Sequence, residues 1–292
     1  MQVIQARDVT RRFSGIPVLE GLSLDVSYGD IYGLYGMPEA GKTVLIKMML
    51  DIISRDGGIL KIFDMDPSIY RRDVLLRTGY TPQEPKYPNW FTIHHIIKLK
   101  QKTYNKEDMD VFLRYLRDFG LWKHRDRRIM QLNKKYRKTL VFLITLTHDP
   151  ELIILDEVLD IPKDILGEVI REFRGKKTFF ISSHNLDKLG LYVEKIGFIN
   201  EGRIVYEGTV DQLKKMLLDT VVLIKISETR RDIWQKINRL EGVEELSIKD
   251  RILRIRITSD IGVINNIRQI LKGHKIEINW IKWIGKREED DK

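Results

Sequence analysis

Gly36-Met37-Pro38-Glu39-Ala40-Gly41-Lys42-Thr43 is the stretch of the sequence that decides the fold. It has the spacing G-x-x-x-x-G-K-T, and it lies between the apolar run 31–35 and the apolar segment 44–50. A strand, a glycine loop and a helix in that order predict a phosphate-binding loop, whose backbone N–H groups and helix N-terminus surround a polyphosphate. We therefore predict a nucleotide site from Gly36 to Val44. Lys42 would contact the β- and γ-phosphates, and the Thr43 hydroxyl would bind Mg²⁺.

Composition limits the classes of protein to which the chain can belong. It has 292 residues, of which 42% are hydrophobic and 32% charged, so it can form one large domain or two smaller ones. It contains no cysteine, which excludes disulfides and thiolate metal sites, and it has no apolar run of about eighteen residues that would span a bilayer. We expect a cytoplasmic protein. The net charge of +9 permits binding to nucleic acid or an anionic membrane, although basic residues spread over solvated faces are the commoner reason.

The order of apolar patterns predicts an α/β fold. Residues 2–30 alternate apolar and polar side chains between turn residues, which predicts short antiparallel strands. Apolar runs at 152–155 and 178–181 each follow a helical pattern, and strands that alternate with helices predict a parallel sheet covered on both faces. We expect a hairpin at 197–206 and a helical subdomain over about 85–148.

The sequence changes character near Thr220, which predicts a second domain over 219–285. The order strand, helix, strand, strand, helix, strand is typical of the ferredoxin-like fold. The predicted elements are strand 221–227, helix 230–241, strand 244–249, strand 251–257, helix 262–272 and strand 276–284. The mixed charges of residues 286–292 predict a disordered tail.

Two carboxylates follow the apolar run at 152–155. Asp156 is placed to hold Mg²⁺ through water opposite Thr43, and Glu157 to act as general base on the attacking water. Acidic residues that end a strand without any catalytic role would give the same sequence pattern, but a phosphate loop in the same chain favours the catalytic interpretation.

Three further residues are candidates only in combination with that loop. His184 ends another predicted strand and is a candidate γ-phosphate sensor, although a lone histidine there is more often structural. Gln83 follows a strand and could bridge Mg²⁺ to a mobile segment. Phe13 could stack on an adenine, although a lone aromatic is more often part of a core.

These motifs together resemble the nucleotide-binding subunit of ATP-binding-cassette (ABC) transporters over residues 1 to about 218. The matching positions are Phe13 for the adenine-stacking aromatic, Gly36 to Thr43 for the Walker A loop, Gln83 for the Q-loop, residues 148–157 for the Walker B region and Ser182-Ser183-His184 for the switch histidine. The resemblance implies ATP and Mg²⁺ as ligands and a separately encoded membrane permease as partner. The C-terminal domain is similar to the extra domain of some multidrug-type exporter ATPases.

The chain departs from the family pattern where the signature L-S-G-G-Q is expected. It has Leu132-Asn133-Lys134-Lys135-Tyr136 there, which adds bulk and places cations against the helix dipole. The segment 158–162 is shorter than the family's coupling loop. Within the phosphate loop, Pro38 removes an N–H group and Glu39 adds an anion.

The resemblance implies that each ATP lies between one subunit's Walker A loop and its partner's signature. A homodimer would then hydrolyse ATP slowly, and we favour a heterodimer with a partner whose signature is intact. The leading hypothesis is an ATPase subunit, of an export system, at the cytoplasmic face of the membrane. A regulatory ATP-binding module with little turnover is the alternative. An ATPase associated with nucleic acid ranks last, because strand 251–257 lacks the aromatic residues that stack on bases.

Overall fold

The computed structural model describes residues 1–84, 87–88, 90–102, 106–158, 160–217, 220–257 and 263–284. The chain divides into two compact units. The first holds Met1–His184 and Lys188–Val205, and the second holds Asn185–Asp187 and Tyr206–Lys292. Within the described ranges, no helix is both long and apolar enough to cross a bilayer.

Strands and helices alternate along most of the chain. The strands are β1 (Gln2–Phe13), β2 (Ile16–Ser27), β3 (Ile31–Tyr35), β4 (Gly57–Ile62), β5 (Thr78–Thr81), β6 (Leu152–Asp156), β7 (Thr178–Ser183), β8 (Lys195–Asn200), β9 (Arg203–Gly208), β10 (Thr220–Ile226), β11 (Val243–Lys249), β12 (Ile252–Ile257) and β13 (Ile278–Ile284). The helices are α1 (Lys42–Met49), α2 (Arg71–Leu76), α3 (Ile93–Gln101), α4 (Lys106–Asp118), α5 (Lys134–Thr145), α6 (Lys163–Phe173), α7 (Leu186–Leu189), α8 (Val210–Leu217), α9 (Arg231–Asn238) and α10 (Val263–Gly273).

A six-stranded sheet positions the candidate site. Its order is β5-β6-β7-β3-β8-β9, and the pairs β5–β6, β6–β7, β7–β3 and β3–β8 are parallel. Every residue of β3, β6 and β7 is buried, which explains why these strands read as continuous apolar runs. Asp156 is in register with Ser182, and Tyr35 with Ser183, so the phosphate loop and the ends of β6 and β7 share one edge.

An antiparallel sheet of order β2-β1-β4 forms the other β layer of the first unit. The prediction of short strands over residues 2–30 was wrong, because β1 and β2 are 12 residues each. Register shifts at four points along their pairing break the alternation of apolar and polar residues. Such irregularities divide one long strand into what looks, in the sequence, like several short ones.

Helices α3, α4 and α5 occupy the segment in which helical periodicity was predicted. Thr92 caps α3 by accepting a hydrogen bond from the His95 N–H at 3.2 Å. Asn133 caps α5 in the same way, since its side-chain oxygen accepts from the Tyr136 N–H at 2.8 Å. The start of α5 is therefore fixed by its own sequence.

The second unit contains the ferredoxin-like arrangement that the sequence predicted. Its sheet has the order β11-β12-β10-β13 with antiparallel pairs throughout, and α9 and α10 connect the strands. Alternate residues of β12, namely Leu253, Ile255 and Ile257, are buried. The overall α/β fold class is thus confirmed.

The predicted domain ranges, 1–218 and 219–285, stay predictions. Residues 218 and 219, at the predicted boundary, lie outside the described residues, as does the predicted tail 286–292. The longer segment of the second compact unit begins earlier, at Tyr206.

Replacing Phe180 by alanine should destabilise the first unit. Phe180 is fully buried in β7, and its ring stacks on Tyr32 of β3 at 5.7 Å between centroids. Because removal of the ring would leave a cavity beside Tyr32 on the buried face of the sheet, we expect a loss of about 3–5 kcal/mol in the free energy of unfolding by urea. Leu76→Ala, at a side chain that is 61% exposed, should change it by less than about 0.5 kcal/mol. Equal effects of the two substitutions would contradict this account of the core.

Candidate nucleotide site

The loop from Gly36 to Thr43 lies between β3 and α1, where two glycines permit close packing. A Cβ on Gly36 would lie 2.5 Å from the Ile199 side chain, and one on Gly41 would lie 2.6 Å from that of Leu19. Gly41 also has a φ of 105°, which non-glycine residues rarely adopt. The loop can therefore pass close to its neighbours and turn directly into the helix.

The Lys42 ammonium group lies inside this loop. The side chain is only 4% exposed, and its Nζ donates to the carbonyl oxygens of Gly36 at 2.7 Å and Met37 at 2.9 Å. It also forms an ion pair with Glu157 Oε1 at 3.1 Å. The cation is thus held by oxygen atoms at the centre of the loop, and a phosphate oxygen is another acceptor of the same kind.

Glu157 connects the loop to His184. Its Oε2 lies 2.7 Å from His184 Nδ1 and accepts from the His184 backbone N–H at 3.2 Å. Burial alone would raise the pKa of Glu157, but the hydrogen bond from His184 and the charge of Lys42 outweigh it and lower that pKa. Glu157 therefore stays ionised near neutral pH. Its φ of 53° is a strained value for a non-glycine residue, as found at functional positions.

Asp156 meets Thr43 on the other side of the loop. The Thr43 hydroxyl lies 3.3 Å from Asp156 Oδ1, to which the Ser182 hydroxyl also donates at 2.7 Å. Burial raises the pKa of Asp156, and the hydrogen bonds from Ser182 and Thr43 only partly offset it. A divalent cation would favour the ionised carboxylate, and a carboxylate beside a hydroxyl suits Mg²⁺, which keeps several waters. Among the described residues, no group of three or more His, Cys, Asp or Glu could hold a metal by itself.

Ser182 is a member of this cluster to which the sequence reasoning gave no role of its own. It donates to Asp156 and accepts from the Glu157 N–H at 3.1 Å, so it fixes both carboxylate residues. The available signal was its place two residues before His184 at the end of an apolar run. Only the register between β6 and β7 shows that it faces Asp156.

Phe13 and Gln83 stand apart from this cluster. Phe13 ends β1 and is 39% exposed, and the Arg11 guanidinium lies 4.7 Å from its ring centre. Gln83 is exposed two residues after β5. The hydrogen bonds and ion pairs described above for Lys42, Asp156 and Glu157 are with other residues. Their assignment to the nucleotide site stays a prediction.

The segment Leu132–Tyr136 forms the start of α5. Leu132 is buried, whereas Lys134 and Lys135 are exposed in the first turn. Lys134 pairs with Asp160 at 3.1 Å, so a nearby carboxylate offsets one of the two cations that oppose the helix dipole. Leu159, in the loop between Glu157 and Asp160, lies outside the described residues.

Comparison with known proteins finds similarity to ATP-binding proteins of transporters. The family model described as ABC transporter matches residues 19–160, a range that contains the phosphate loop, Asp156 and Glu157. The bacitracin transport ATP-binding protein of Bacillus licheniformis is 29% identical over 223 residues, which are 73% of this chain and 72% of that protein. The Nod factor export ATP-binding protein I of Burkholderia lata is 26% identical over 213 residues, which are 70% of each chain.

Solved structures show the same fold. The structure of an ATP-binding subunit of an ABC transporter has a TM-score of 0.66 at 19% identity, and the match covers 73% of this chain and 92% of that chain. The ADP conformation of an ATP-binding cassette has a TM-score of 0.61 at 20% identity over 74% of this chain and 94% of that chain.

Replacing Glu39 by glycine should tighten ATP binding. Glu39 is exposed in the middle of the phosphate loop, with a φ of 72° that glycine adopts at little cost. The substitution removes both the strain and an anion beside a polyphosphate, so we expect affinity to rise about two- to fivefold in a titration with fluorescent ATP. Glu39→Gln, which removes only the charge, should give part of the gain and less of it at high salt. Weaker binding by Glu39→Gly would show that the carboxylate assists the ligand.

Proposed function

We propose that this chain is the ATPase subunit that energises a separately encoded membrane permease, and the match of residues 19–160 to the family model described as ABC transporter supports the proposal. The observation that carries the proposal is the contact chain from Lys42 through Glu157 to His184. It joins a phosphate-binding ammonium group to an ionised carboxylate at the edge where three strands end. A binding module has no need of such a carboxylate.

Hydrolysis would use these residues in defined roles. The ATP phosphates would enter the loop Gly36–Thr43, and Lys42 would exchange its contact with Glu157 for the β- and γ-phosphate oxygens. Glu157 would take a proton from the attacking water. At the same time the water oxygen would bond to the γ-phosphorus, and the bond between that phosphorus and ADP would break. His184, which already donates to Glu157 through its N–H, would hold that carboxylate in place and sense the γ-phosphate.

Mg²⁺ would be held by the Thr43 hydroxyl, by Asp156 through water and by Gln83. When bound, it would neutralise negative charge on the phosphates. Ser182 would orient Asp156 through their hydrogen bond of 2.7 Å. Phe13 would stack on the adenine, with Arg11 already on its ring.

A second ATPase subunit would complete the site. We propose that the degenerate signature Leu132–Tyr136 serves the partner's ATP poorly, because two lysines occupy the first turn of α5 where close backbone approach is needed. Fast hydrolysis at this chain's own loop would then need a partner with an intact signature. This favours a heterodimer over a homodimer.

The direction of transport is proposed from the relatives. Nod factor export and fluoroquinolones export appear in the names of two of them, and bacitracin transport in another. We therefore propose export, with this chain at the cytoplasmic face of the membrane. Trp90 is exposed and packs edge-on against Phe91 and His95, which supports the segment after Gln83 as the surface that grips the permease.

A regulatory ATP-binding module is the second candidate function. It is favoured by the lysines of the segment Leu132–Tyr136, which would slow turnover in a homodimer. A turnover by the purified chain that falls in Glu157→Gln favours the ATPase function, because a binding module needs no general base.

The purified chain alone should hydrolyse ATP slowly, at less than about one turnover per second, and Glu157→Gln should reduce that rate about a hundredfold or more. ATP binding should persist, because Lys42 and Thr43 remain. Release of radiolabelled phosphate measures the rate, and Glu151→Gln is the matched control, since Glu151 pairs with Arg77 at the other end of β6.

Two outcomes would contradict the proposal. Fast turnover by the chain alone that Glu157→Gln abolishes would show that the signature is functional. A rate that Glu157→Gln leaves unchanged would remove Glu157 from the role of general base.

A further inference from the structure

Three lysines converge on the carboxylate of Asp160. Lys138 Nζ lies 3.0 Å and Lys134 Nζ 3.1 Å from Asp160 Oδ2, and Lys188 Nζ lies 3.8 Å from Oδ1. We call these four residues the Asp160 cluster. Because the lysines come from two segments and the carboxylate from a third, the cluster fastens three parts of the first unit at one point.

The position of each member relates the cluster to the nucleotide site. Asp160 follows Glu157 by three residues, and Lys188 follows His184 by four. Lys134 and Lys138 lie one turn apart on α5, which begins at Lys134. The cluster thus joins the start of α5 to the segment that follows Glu157 and to the segment that follows His184.

Electrostatics makes Asp160 the central member. A single exposed ion pair contributes little to stability, but here three ammonium groups share one carboxylate at the positive end of a helix. Without it, like charges would face one another beside the helix N-terminus. The hydrogen bond from Lys138 has the largest effect on the pKa of Asp160 and lowers it. Burial opposes this effect, and the hydrogen bond from Lys134 adds to it, so the pKa is about 2 and the carboxylate is ionised near neutral pH. Lys138 is only 13% exposed, which limits screening of that pair by salt.

We propose that Asp160 is a positioning residue for ATP hydrolysis, which holds the first turn of α5 in a fixed place relative to the Glu157–His184 pair. The inference rests on the proposed ATPase function and adds a residue to it. The ion pairs of Asp160 are with two lysines of α5 and with Lys188, outside the loop Gly36–Thr43, so we expect it to act on turnover and not on the binding of ATP to the loop. In the proposed dimer, the same turn of α5 faces the partner's ATP.

The test compares Asp160→Asn with Asp160→Glu, which keeps the carboxylate, and with Lys138→Met, which keeps the apolar stem of that lysine. Asp25→Asn is the matched control, because it breaks a surface ion pair with Arg7 in the β1–β2 sheet of the same unit. We expect Asp160→Asn to lower the turnover rate at saturating ATP about tenfold, with ATP affinity within about twofold of the original. Asp160→Glu should recover most of the rate, and Asp25→Asn should leave it unchanged.

A second measurement is independent of turnover. Hydrogen–deuterium exchange in the nucleotide-free protein should quicken at the first turn of α5 in Asp160→Asn and Lys138→Met, but not in Asp25→Asn. An unchanged rate of exchange there would overturn the positioning role, even if the chain proved not to be an ATPase.

The kinetic outcomes separate the inference from the function on which it rests. An unchanged turnover rate in Asp160→Asn overturns the inference. A loss of ATP affinity as large as the loss of turnover also overturns it, because it would indicate general damage to the fold. Failure of the unsubstituted protein to hydrolyse ATP, alone or with a partner subunit, overturns the proposed function instead, and with it any role of Asp160 in hydrolysis.

Discussion

The candidate nucleotide site depends on the contacts of one buried group, the ammonium group of Lys42. An isolated charge in such a place would be strongly unfavourable, and the structure offsets it with two loop carbonyls and the carboxylate of Glu157. That carboxylate is itself buried, which alone would raise its pKa, but the hydrogen bond from His184 and the charge of Lys42 outweigh burial and lower it. The phosphate loop, the end of β6 and the end of β7 are thereby linked through one chain of charges. The parallel sheet supplies the geometry, because it brings the three strand ends to a single edge.

The sequence was sufficient to predict the fold class and the main candidates of the site. The phosphate loop is recognisable because its glycines, lysine and threonine have a fixed spacing within a short segment, and the buried strands because each contains an apolar run. The ferredoxin-like unit was predictable from the order of its strand and helix patterns, and its strand β12 buries one residue in two. Strand lengths at the N-terminus were not, because the register shifts between β1 and β2 interrupt the alternation of apolar and polar residues, and each long strand then resembles several short ones.

What the sequence could not predict are contacts between residues far apart in the chain. Ser182 faces Asp156 from 26 positions away. Lys134 first looked like an unfavourable charge at a helix N-terminus, yet Asp160 lies beside it. Each of these depends on which segments the sheet and helices bring together, and no local pattern of residues records it.

The central claim is that ATP takes the place of Glu157 at the Lys42 ammonium group. A crystal structure of this protein with Mg²⁺ and a non-hydrolysable ATP analogue tests it most directly. The account predicts that the phosphates lie within Gly36–Thr43, that Lys42 Nζ contacts phosphate oxygens, and that Glu157 keeps its contact with His184. A structure in which Lys42 remains paired with Glu157 while the phosphates lie outside the loop would contradict it.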